Sequence, residues 1–318
     1  MKTLLHIREG KLSVAPKEEA TIRLYSAPDD AERTELVESL GIDPYDVDSA
    51  LDPDEISRVE INPKHISIIW KVPYKGVQDD SGFDVTSMGF FLGNNNALTI
   101  ITNESLESLL KGGFRSMNTL NGFVLRYFAN TTRQFLRHLK AIKQATAQLE
   151  IQIGSSMTNQ ALLKMFDLSE QLVYYVNAIE ANGAALEKLR GRTERFILTD
   201  RQIGFIEDII LENKQAARQA QIYTTLLTGL MDARGNIINN NMNVLLKNLT
   251  IINVVFLPLS ILAGMGGMSE FTEITQGYGI DWRIAYPLFT LVLTVLGFVL
   301  WKGITRYIDH QSNGKHHV

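Results

Sequence analysis

Residues Leu249–Met268 form an uncharged run of twenty, LTIINVVFLPLSILAGMGGM, and Ile284–Trp301 form a second uncharged run of eighteen, IAYPLFTLVLTVLGFVLW. A helix rises about 1.5 Å per residue and the hydrocarbon core of a bilayer is about 30 Å thick, so each run is long enough to span it. Trp282 and Trp301 bracket the second run, where interfacial aromatic residues are expected. Two buried helices of a soluble core are the less favoured alternative. The sequence predicts a hairpin of two membrane spans, 249–268 and 284–301.

The charges around this hairpin predict its orientation. The connecting segment, 269–283, carries Glu270, Glu273 and Asp281 against a single Arg283. The outer flanks of the hairpin are basic, with Arg234, Lys247, Lys302, Arg306 and Lys315. Because Lys and Arg concentrate on the cytoplasmic side, both termini, including the tail 302–318, are expected in the cytoplasm and the membrane is expected to be the cytoplasmic (inner) membrane. The segment 269–283 is then an external acidic loop that attracts cations.

The composition excludes several classes of function. The 318 residues carry a formal net charge of −4, which argues against nucleic acid as a partner, because a phosphate backbone requires clustered Lys and Arg. The absence of cysteine excludes disulfides, thiolate metal sites and thiol nucleophiles. No phosphate-binding glycine loop, His-Glu-x-x-His or Gly-x-Ser-x-Gly pattern occurs in the sequence. We therefore expect neither enzymatic activity nor a cofactor.

Residues 1–117 are predicted to form an α/β cytoplasmic region. Strand composition is found at Thr21–Tyr25 and Ile66–Val72, and the segments Gly89–Leu92 and Ala97–Ile101 flank an Asn-rich turn at 94–96, as in a β-hairpin. The segment 28–55 contains eleven acidic residues and one basic residue, and it is interpreted as a solvated surface rather than a cation site.

The rest of the cytoplasmic part has helical periodicity. Apolar residues spaced by three and four predict cytoplasmic helices within 118–200. No proline follows Asp200 until Pro258, so one helix is predicted over 201–268, a stalk that continues into the first span. Such a helix would be about 100 Å long.

A polar stripe distinguishes the first span from a simple anchor. Residues three or four apart form one helix face: Asn243, Leu246, Leu249 (or Thr250), Asn253, Leu257, Ser260 and Gly264. This face fits the wall of a pore, where polar rings alternate with apolar constrictions. It fits equally a helix-packing surface of small and hydrogen-bonding residues. A pore also requires a homo-oligomer, because one such helix cannot enclose a channel.

Several segments resemble the CorA family of divalent-cation channels. The similarity is carried by Asn241–Ile252, Phe256–Gly264, Gly267-Met268 and Tyr286-Pro287, and upstream by Leu226–Asp232 and Phe90–Gly93. The resemblance implies a funnel-shaped homopentamer in the lipid bilayer, with the long helix of each subunit lining the pore and the second span outside it. It implies no cofactor, with divalent cations as the transported ligands.

The outer-mouth signature of that family is changed in this chain. The family has Gly-Met-Asn, usually preceded by Tyr, where this sequence has Gly267-Met268-Ser269 preceded by Gly266. Serine has a shorter side chain and no amide, so a ring of Ser269 would be wider and magnesium selectivity weaker. A ring of Glu270 carboxylates would compensate by attracting cations. Mg²⁺, Co²⁺, Ni²⁺ and Zn²⁺ remain open as transported ions, as does the direction of transport.

The resemblance also implies gating by divalent cations bound between neighbouring cytoplasmic domains. Asp208, on the predicted stalk, is the candidate regulatory metal ligand, with its partner unidentified; a solvated helix-surface charge is the alternative interpretation.

Two other functions stay open for the whole chain. One is a non-conducting membrane scaffold or sensor of the same fold, and the other is a proton-coupled zinc transporter.

Overall fold

The computed structural model describes residues 1–8, 11–62, 65–74, 83–93, 97–103, 119–155, 159–191 and 198–313. Contacts divide the chain into two compact units, Met1–Met231 and Asp232–Val318. The predicted turn at 94–96 and the predicted flanking charge of Lys315 lie outside the described residues.

The first unit is built on a seven-stranded mixed sheet. Its strands are β1 (Lys2–Arg8), β2 (Lys11–Val14), β3 (Ile22–Ser26), β4 (Arg58–Ile61), β5 (His65–Tyr74), β6 (Asp84–Gly93) and β7 (Leu98–Thr102). The spatial order is β2-β1-β3-β7-β6-β5-β4, with β3 and β7 parallel and the other neighbours antiparallel. The strands predicted near β3, β5, β6 and β7 are confirmed, and Phe90 pairs with Ile100 in the predicted hairpin.

Helices cover both faces of the sheet, because its central strands are apolar on both sides. On one face, α1 (Asp30–Thr34), a π-helical turn (Glu35–Ser39) and α2 (Pro44–Leu51) bury a small cluster that includes Tyr25, Leu36 and Phe91. On the other face lies a larger cluster with α3 (Leu120–Ser155), where the rings of Trp70 and Phe128 stack with centroids 3.9 Å apart.

The acidic segment 28–55 is folded, and its interpretation as a solvated surface agrees with the exposure of most of its acidic residues but not with that of Asp46. Asp29 and Asp43 cap the N-termini of α1 and α2 by accepting hydrogen bonds from backbone N–H groups. Asp46 is only 2% exposed: its carboxylate accepts hydrogen bonds from Ser67 Oγ at 2.9 Å and Arg58 Nη2 at 3.1 Å. The charge of Asp46 is thus satisfied inside the fold, as buried charges require.

Long helices complete the first unit and form the second. The helices α3, α4 (Asn159–Arg190) and the first part of α5 (Asp200–Gly266) pack around a shared apolar cluster that includes Phe135, Tyr175 and Leu227. The second unit contains the rest of α5, the short α6 (Ser269–Gly277) and α7 (Trp282–Asn313). The predicted fold class, an α/β region with long helices and two apolar C-terminal helices, is confirmed. The segment predicted as a loop, 269–283, contains α6.

Candidate functional site

Two helices of the second unit are long and apolar enough to cross a membrane: the C-terminal part of α5, and Trp282–Arg306 of α7. Their large apolar side chains are mostly exposed, for example Leu257 at 65% and Phe298 at 65%. In the most apolar window of each helix, 17% and 6% of the residues are buried. Helices of a soluble core would be buried, so this exposure favours contact with lipid over the alternative of a soluble core.

The predicted stripe lies on a continuous helix. All seven of its residues fall within α5, and in the single chain each of them is exposed: Asn243, Leu246, Leu249, Asn253, Leu257, Ser260 and Gly264. Thr250, the alternative member, donates its hydroxyl to the backbone carbonyl of Leu246 at 2.8 Å. Its polar group is therefore satisfied within the helix.

A different side of α5 contacts α7. A Cβ placed on Gly297 would lie 2.9 Å from Leu259 Cδ1, and one placed on Gly266 would lie 2.3 Å from Phe289 Cε1, so glycine allows close approach at both points. Val255 lines a groove of about 680 Å³ between the two helices. At about 100° per residue, the direction of these contacts is about 150° from the centre of the stripe.

Ser260 is the member of the stripe that lies nearest α7. It borders the same groove as Val255 and Leu259, together with Thr294 and Phe298 of α7. The remaining six residues of the stripe do not line this groove. Because these residues are exposed in the single chain, most of the stripe is available to another surface.

The chain makes a tight turn at the C-terminal end of α5. After α5 ends at Gly266, the N–H of Gly267 bonds to Ala263 O at 3.2 Å, and the N–H of Met268 bonds to Met265 O at 3.2 Å. Ser269 then opens α6 and its hydroxyl lies 3.3 Å from Glu270 Oε2. The three signature residues 267–269 are all exposed, so their backbone and side chains are accessible at this end of the helix.

The three acidic residues near this end differ in role. Glu270 and Glu273 are exposed on α6. Asp281 precedes α7 and accepts a hydrogen bond from the N–H of Arg283 at 3.0 Å, while its carbonyl receives the first bonds of the helix. Asp281 therefore caps the N-terminus of α7 in addition to contributing negative charge. Aspartate immediately before the first residue of a helix is a common capping residue.

Asp208 is exposed on α5 in the first unit. Its neighbour Glu207 lies 3.8 Å from Arg190 as an ion pair. Within the described residues, no group of three or more His, Asp or Glu side chains is arranged to hold a metal ion.

An aromatic cluster behind the outer turn was not found by sequence reasoning. The ring of Phe271 on α6 lies 4.9 Å from the ring of Phe289 and 5.6 Å from that of Tyr286, both on α7. The spacing of Tyr286 and Phe289 by three residues places both on one face of α7. Their partner on α6 could not be identified from the sequence because 269–283 was predicted as a loop.

Comparison with known proteins identifies relatives over most of the chain. A family model described as CorA-like Mg²⁺ transporter protein matches residues 23–304. The chain is 28% identical over 251 residues to the cobalt/magnesium transport protein CorA of Methanocaldococcus jannaschii, covering 76% of this chain and 77% of that protein. It is 26% identical over 98 residues to the protein of the same description from Thermotoga maritima, covering 31% and 27% respectively.

Solved structures share the fold. The complete structure of the CorA magnesium transporter from Methanocaldococcus jannaschii superposes with a TM-score of 0.73 at 22% identity, covering 98% of both chains. The full-length CmaX protein gives 0.71 at 13% identity, covering 96% of both chains. The cytoplasmic domain of ZntB from Vibrio parahaemolyticus gives 0.57 at 9% identity, covering 76% of this chain and 97% of that one. At these identities the structural similarities establish the fold alone.

Proposed function

Because the chain belongs to the family of CorA-like Mg²⁺ transporters, we propose that it forms a homopentameric channel for divalent cations, with α5 of each subunit lining the pore. The cytoplasmic membrane is its proposed location, with both termini in the cytoplasm and α6 outside, in keeping with the basic flanks of the two spans. The lipid bilayer, divalent cations and further copies of the chain are its partners.

The observation that carries this proposal is the position of the stripe on α5. The polar residue Asn253 shares a face with Leu246 and Leu257, and the centre of this face lies about 150° from the close contacts with α7 at Leu259 and Gly266. Ser260 lies at the edge of the face, beside the groove between α5 and α7. If the stripe served to pack α5 against α7, it would face α7. A ring of five α5 helices, with α7 outside, instead turns the stripe toward a central axis, where polar groups can meet water and ions.

The outer mouth sets which ions enter. Mg²⁺ loses its water reluctantly, so an exposed ring of Ser269 hydroxyls would contact the hydration shell rather than the bare ion. Glu270, next to it, adds one carboxylate per subunit and raises the local cation concentration. This arrangement suits divalent cations as a class, and the proposed transported ions are Mg²⁺, Co²⁺, Ni²⁺ and Zn²⁺.

The driving force requires no second energy source. A divalent cation that crosses a membrane potential of 100 mV toward a negative interior gains about 4.6 kcal/mol, at about 2.3 kcal/mol per elementary charge. Passive uptake is therefore favourable.

Divalent cations are also proposed as regulatory ligands at Asp208, where they would stabilise the closed state only by binding it more tightly than the open state.

Substitution of the polar stripe tests the pore. We expect Asn253→Leu to lower the flux of Mg²⁺ through proteoliposomes by roughly tenfold or more, since losing a hydrogen bond to a charged species costs about 1.5–3 kcal/mol and 1.4 kcal/mol is tenfold in rate. The measurement is uptake of Mg²⁺ at a fixed inside-negative potential, normalised to the amount of reconstituted oligomer.

Thr290→Leu is the matched control. Thr290 is exposed on α7 and its hydroxyl bonds to its own helix at Tyr286 O, 2.7 Å away, so this change adds similar apolar bulk outside the proposed pore. We expect flux through Thr290→Leu to equal that of the wild type. Equal fluxes for Asn253→Leu and Thr290→Leu would contradict a pore lined by α5.

A further inference from the structure

The short helix α6 has few attachments of its own. Its N-cap residue, Met268, makes no side-chain capping bond. Ile274 is 61% exposed, and Glu270, Glu273 and Gly277 are exposed as well. Phe271, by contrast, is partly buried and places its ring 4.9 Å from Phe289 and 5.6 Å from Tyr286. Among the apolar side chains of α6, Phe271 therefore provides the principal contact with α7.

The same ring of α7 also contacts the end of the pore helix. Gly266, the last residue of α5, is buried, and a Cβ built on it would lie 2.3, 2.7 and 3.1 Å from three atoms of the Phe289 ring. Real Cβ atoms do not approach this closely, so the ring would have to move for any residue other than glycine. Phe289 thus occupies the space that a side chain at position 266 would use.

Phe289 consequently joins three segments at one point. It covers Gly266 at the end of α5, it packs on Phe271 of α6, and it belongs to α7 itself. Ser269 and Glu270 lie between the two contacted positions, Gly266 and Phe271. A segment fixed three residues before Ser269 and two residues after it has little freedom to tilt.

We propose that Phe271 and Phe289 are positioning residues that hold Ser269 and Glu270 in one orientation at the pore mouth, and that this orientation sets the discrimination between divalent cations. The inference rests on the proposed function, because it takes Ser269 and Glu270 to meet the permeating ion. It also accounts for one feature of this chain: position 266, immediately before the signature residues, is glycine, and the Phe289 ring fills the place of a side chain there.

A spin label at Ser269 tests the positioning without requiring transport. The chain has no cysteine, so Ser269→Cys provides a single attachment site in the full-length protein. Phe271→Ala is expected to increase the mobility of the label. Phe271→Tyr, which keeps the ring, is expected to leave the mobility at the value measured with Phe271 intact. Ile274→Ala is the matched control on the same helix and should leave the mobility unchanged.

Ion discrimination is measured on the same Phe271 variants with Ser269 intact. Phe271→Ala should change the ratio of Mg²⁺ to Ni²⁺ flux by about three- to tenfold, the scale of one lost aromatic pair. Phe271→Tyr should return that ratio to the wild-type value. An altered total flux at a constant ratio would contradict the proposal and indicate a general effect on the fold.

A second pair of variants tests the contact with Phe289. Gly266→Ala and Phe289→Leu should each increase label mobility, because the first displaces the Phe289 ring and the second removes it. The double variant should show a smaller increase than the sum of the two, because both changes disrupt the same contact. Gly297→Ala is the matched control, because its Cβ would meet only the flexible end of Leu259 at 2.9 Å. Size-exclusion chromatography verifies that each variant retains the oligomeric state.

The outcomes separate the two proposals. If no variant changes label mobility relative to Ile274→Ala and Gly297→Ala, the positioning role is wrong whether or not the protein conducts. If the wild-type protein conducts no divalent cation but the mobility changes appear as expected, the proposed channel fails while the packing around Phe289 stands. Mobility changes with a constant flux ratio would overturn the link to ion discrimination.

Discussion

Asn182 of helix α4 makes hydrogen bonds to the backbone of β5 at Lys71, where a neighbouring strand would otherwise make them. The side chain is fully buried; its Oδ1 accepts from Ser57 Oγ at 2.6 Å and from the N–H of Lys71 at 3.0 Å, and its Nδ2 donates to the carbonyl of Lys71 at 2.9 Å. Strand β4 begins only at Arg58, opposite Ile69, so the backbone of Lys71 has no β4 partner. One amide therefore fastens α4 to the sheet.

Replacing Asn182 with Leu should destabilise the fold by about 2–5 kcal/mol, because the carbonyl of Lys71 and the hydroxyl of Ser57 would each lose a buried partner at about 1–3 kcal/mol. The N–H of Lys71 would keep its bond to Ser57 Oγ at 3.2 Å. Asn177→Leu, at an exposed position of the same helix, should change stability by no more than about 0.5 kcal/mol. Chemical unfolding of the full-length protein in detergent, followed by circular dichroism, measures both. Equal midpoints for the two variants would show that the amide is dispensable.

Residue roles of this kind could not be predicted from the sequence. Asp46 lies among eleven acidic residues, and nothing in its local pattern indicates that it, rather than Asp48, is buried against Arg58 and Ser67. The burial depends on contacts with strands twelve and twenty-one positions away along the chain. Periodicity detects which face of an element is apolar, but it does not detect a buried polar partner that is distant in sequence.

At the scale of elements, glycine determines how closely α2 approaches the sheet. A Cβ on Gly89 of β6 would lie 2.6 Å from Ala50 Cβ and 2.6 Å from Phe91 Cε2. Ala50 is fully buried in the cluster between α2 and the sheet, and its Cβ is attached rigidly to the helix. The helix can therefore make this contact only because position 89 has no side chain.

Gly89→Ala should accordingly cost about 1–3 kcal/mol of stability, the usual range for overpacking a core. Gly204→Ala is the matched substitution in α5, where a Cβ meets nothing within 4 Å and should stabilise the helix by about 0.5–1 kcal/mol. Thermal unfolding of the two full-length variants should therefore shift in opposite directions. A Gly89→Ala protein as stable as the wild type would contradict the close approach of α2.

Elements with a strong pattern were predictable, and weak ones were not. The strand predicted at Ile66–Val72 and the long helix predicted from residue 201 agree with β5 and α5, because both have sustained apolar periodicity. The edge strands β2 and β4, and strand β1 next to β2, were not predicted, since they are short or carry charged residues. The helix α6 was missed because its packing depends mainly on one side chain, Phe271.

For the whole molecule, the sequence indicated the family and the two candidate membrane-spanning helices, while the candidate pore depends on copies of the chain. The polar stripe is exposed on α5 in a single subunit, and only an assembly can enclose it. Sequence reasoning left pore and packing surface equally favoured because periodicity places residues on a face without identifying what that face contacts. The position of α7 on another side of α5 supplies the argument for the pore.

The proposed ring of Glu270 should make transport depend on ionic strength. Glu270→Gln removes one exposed carboxylate per subunit, so we expect several-fold lower Mg²⁺ influx at low salt, where electrostatic attraction extends about 30 Å at 0.01 M. The difference from the wild type should diminish toward 1 M, where screening acts within about 3 Å. Influx measured over this salt series gives the test, and a salt-independent ratio would argue against electrostatic attraction by Glu270.

Uptake of divalent cations into proteoliposomes at a controlled potential separates a conducting pore from a non-conducting membrane scaffold. Purified wild-type protein of pentameric mass is reconstituted, and influx of Mg²⁺, Co²⁺, Ni²⁺ and Zn²⁺ is recorded while the interior is made progressively more negative, without a pH gradient. A passive channel predicts influx that rises with the potential, in line with about 4.6 kcal/mol gained per divalent ion at 100 mV. Absence of flux for all four ions would contradict the channel, and zinc influx that appears only when a pH gradient is imposed would indicate proton coupling instead.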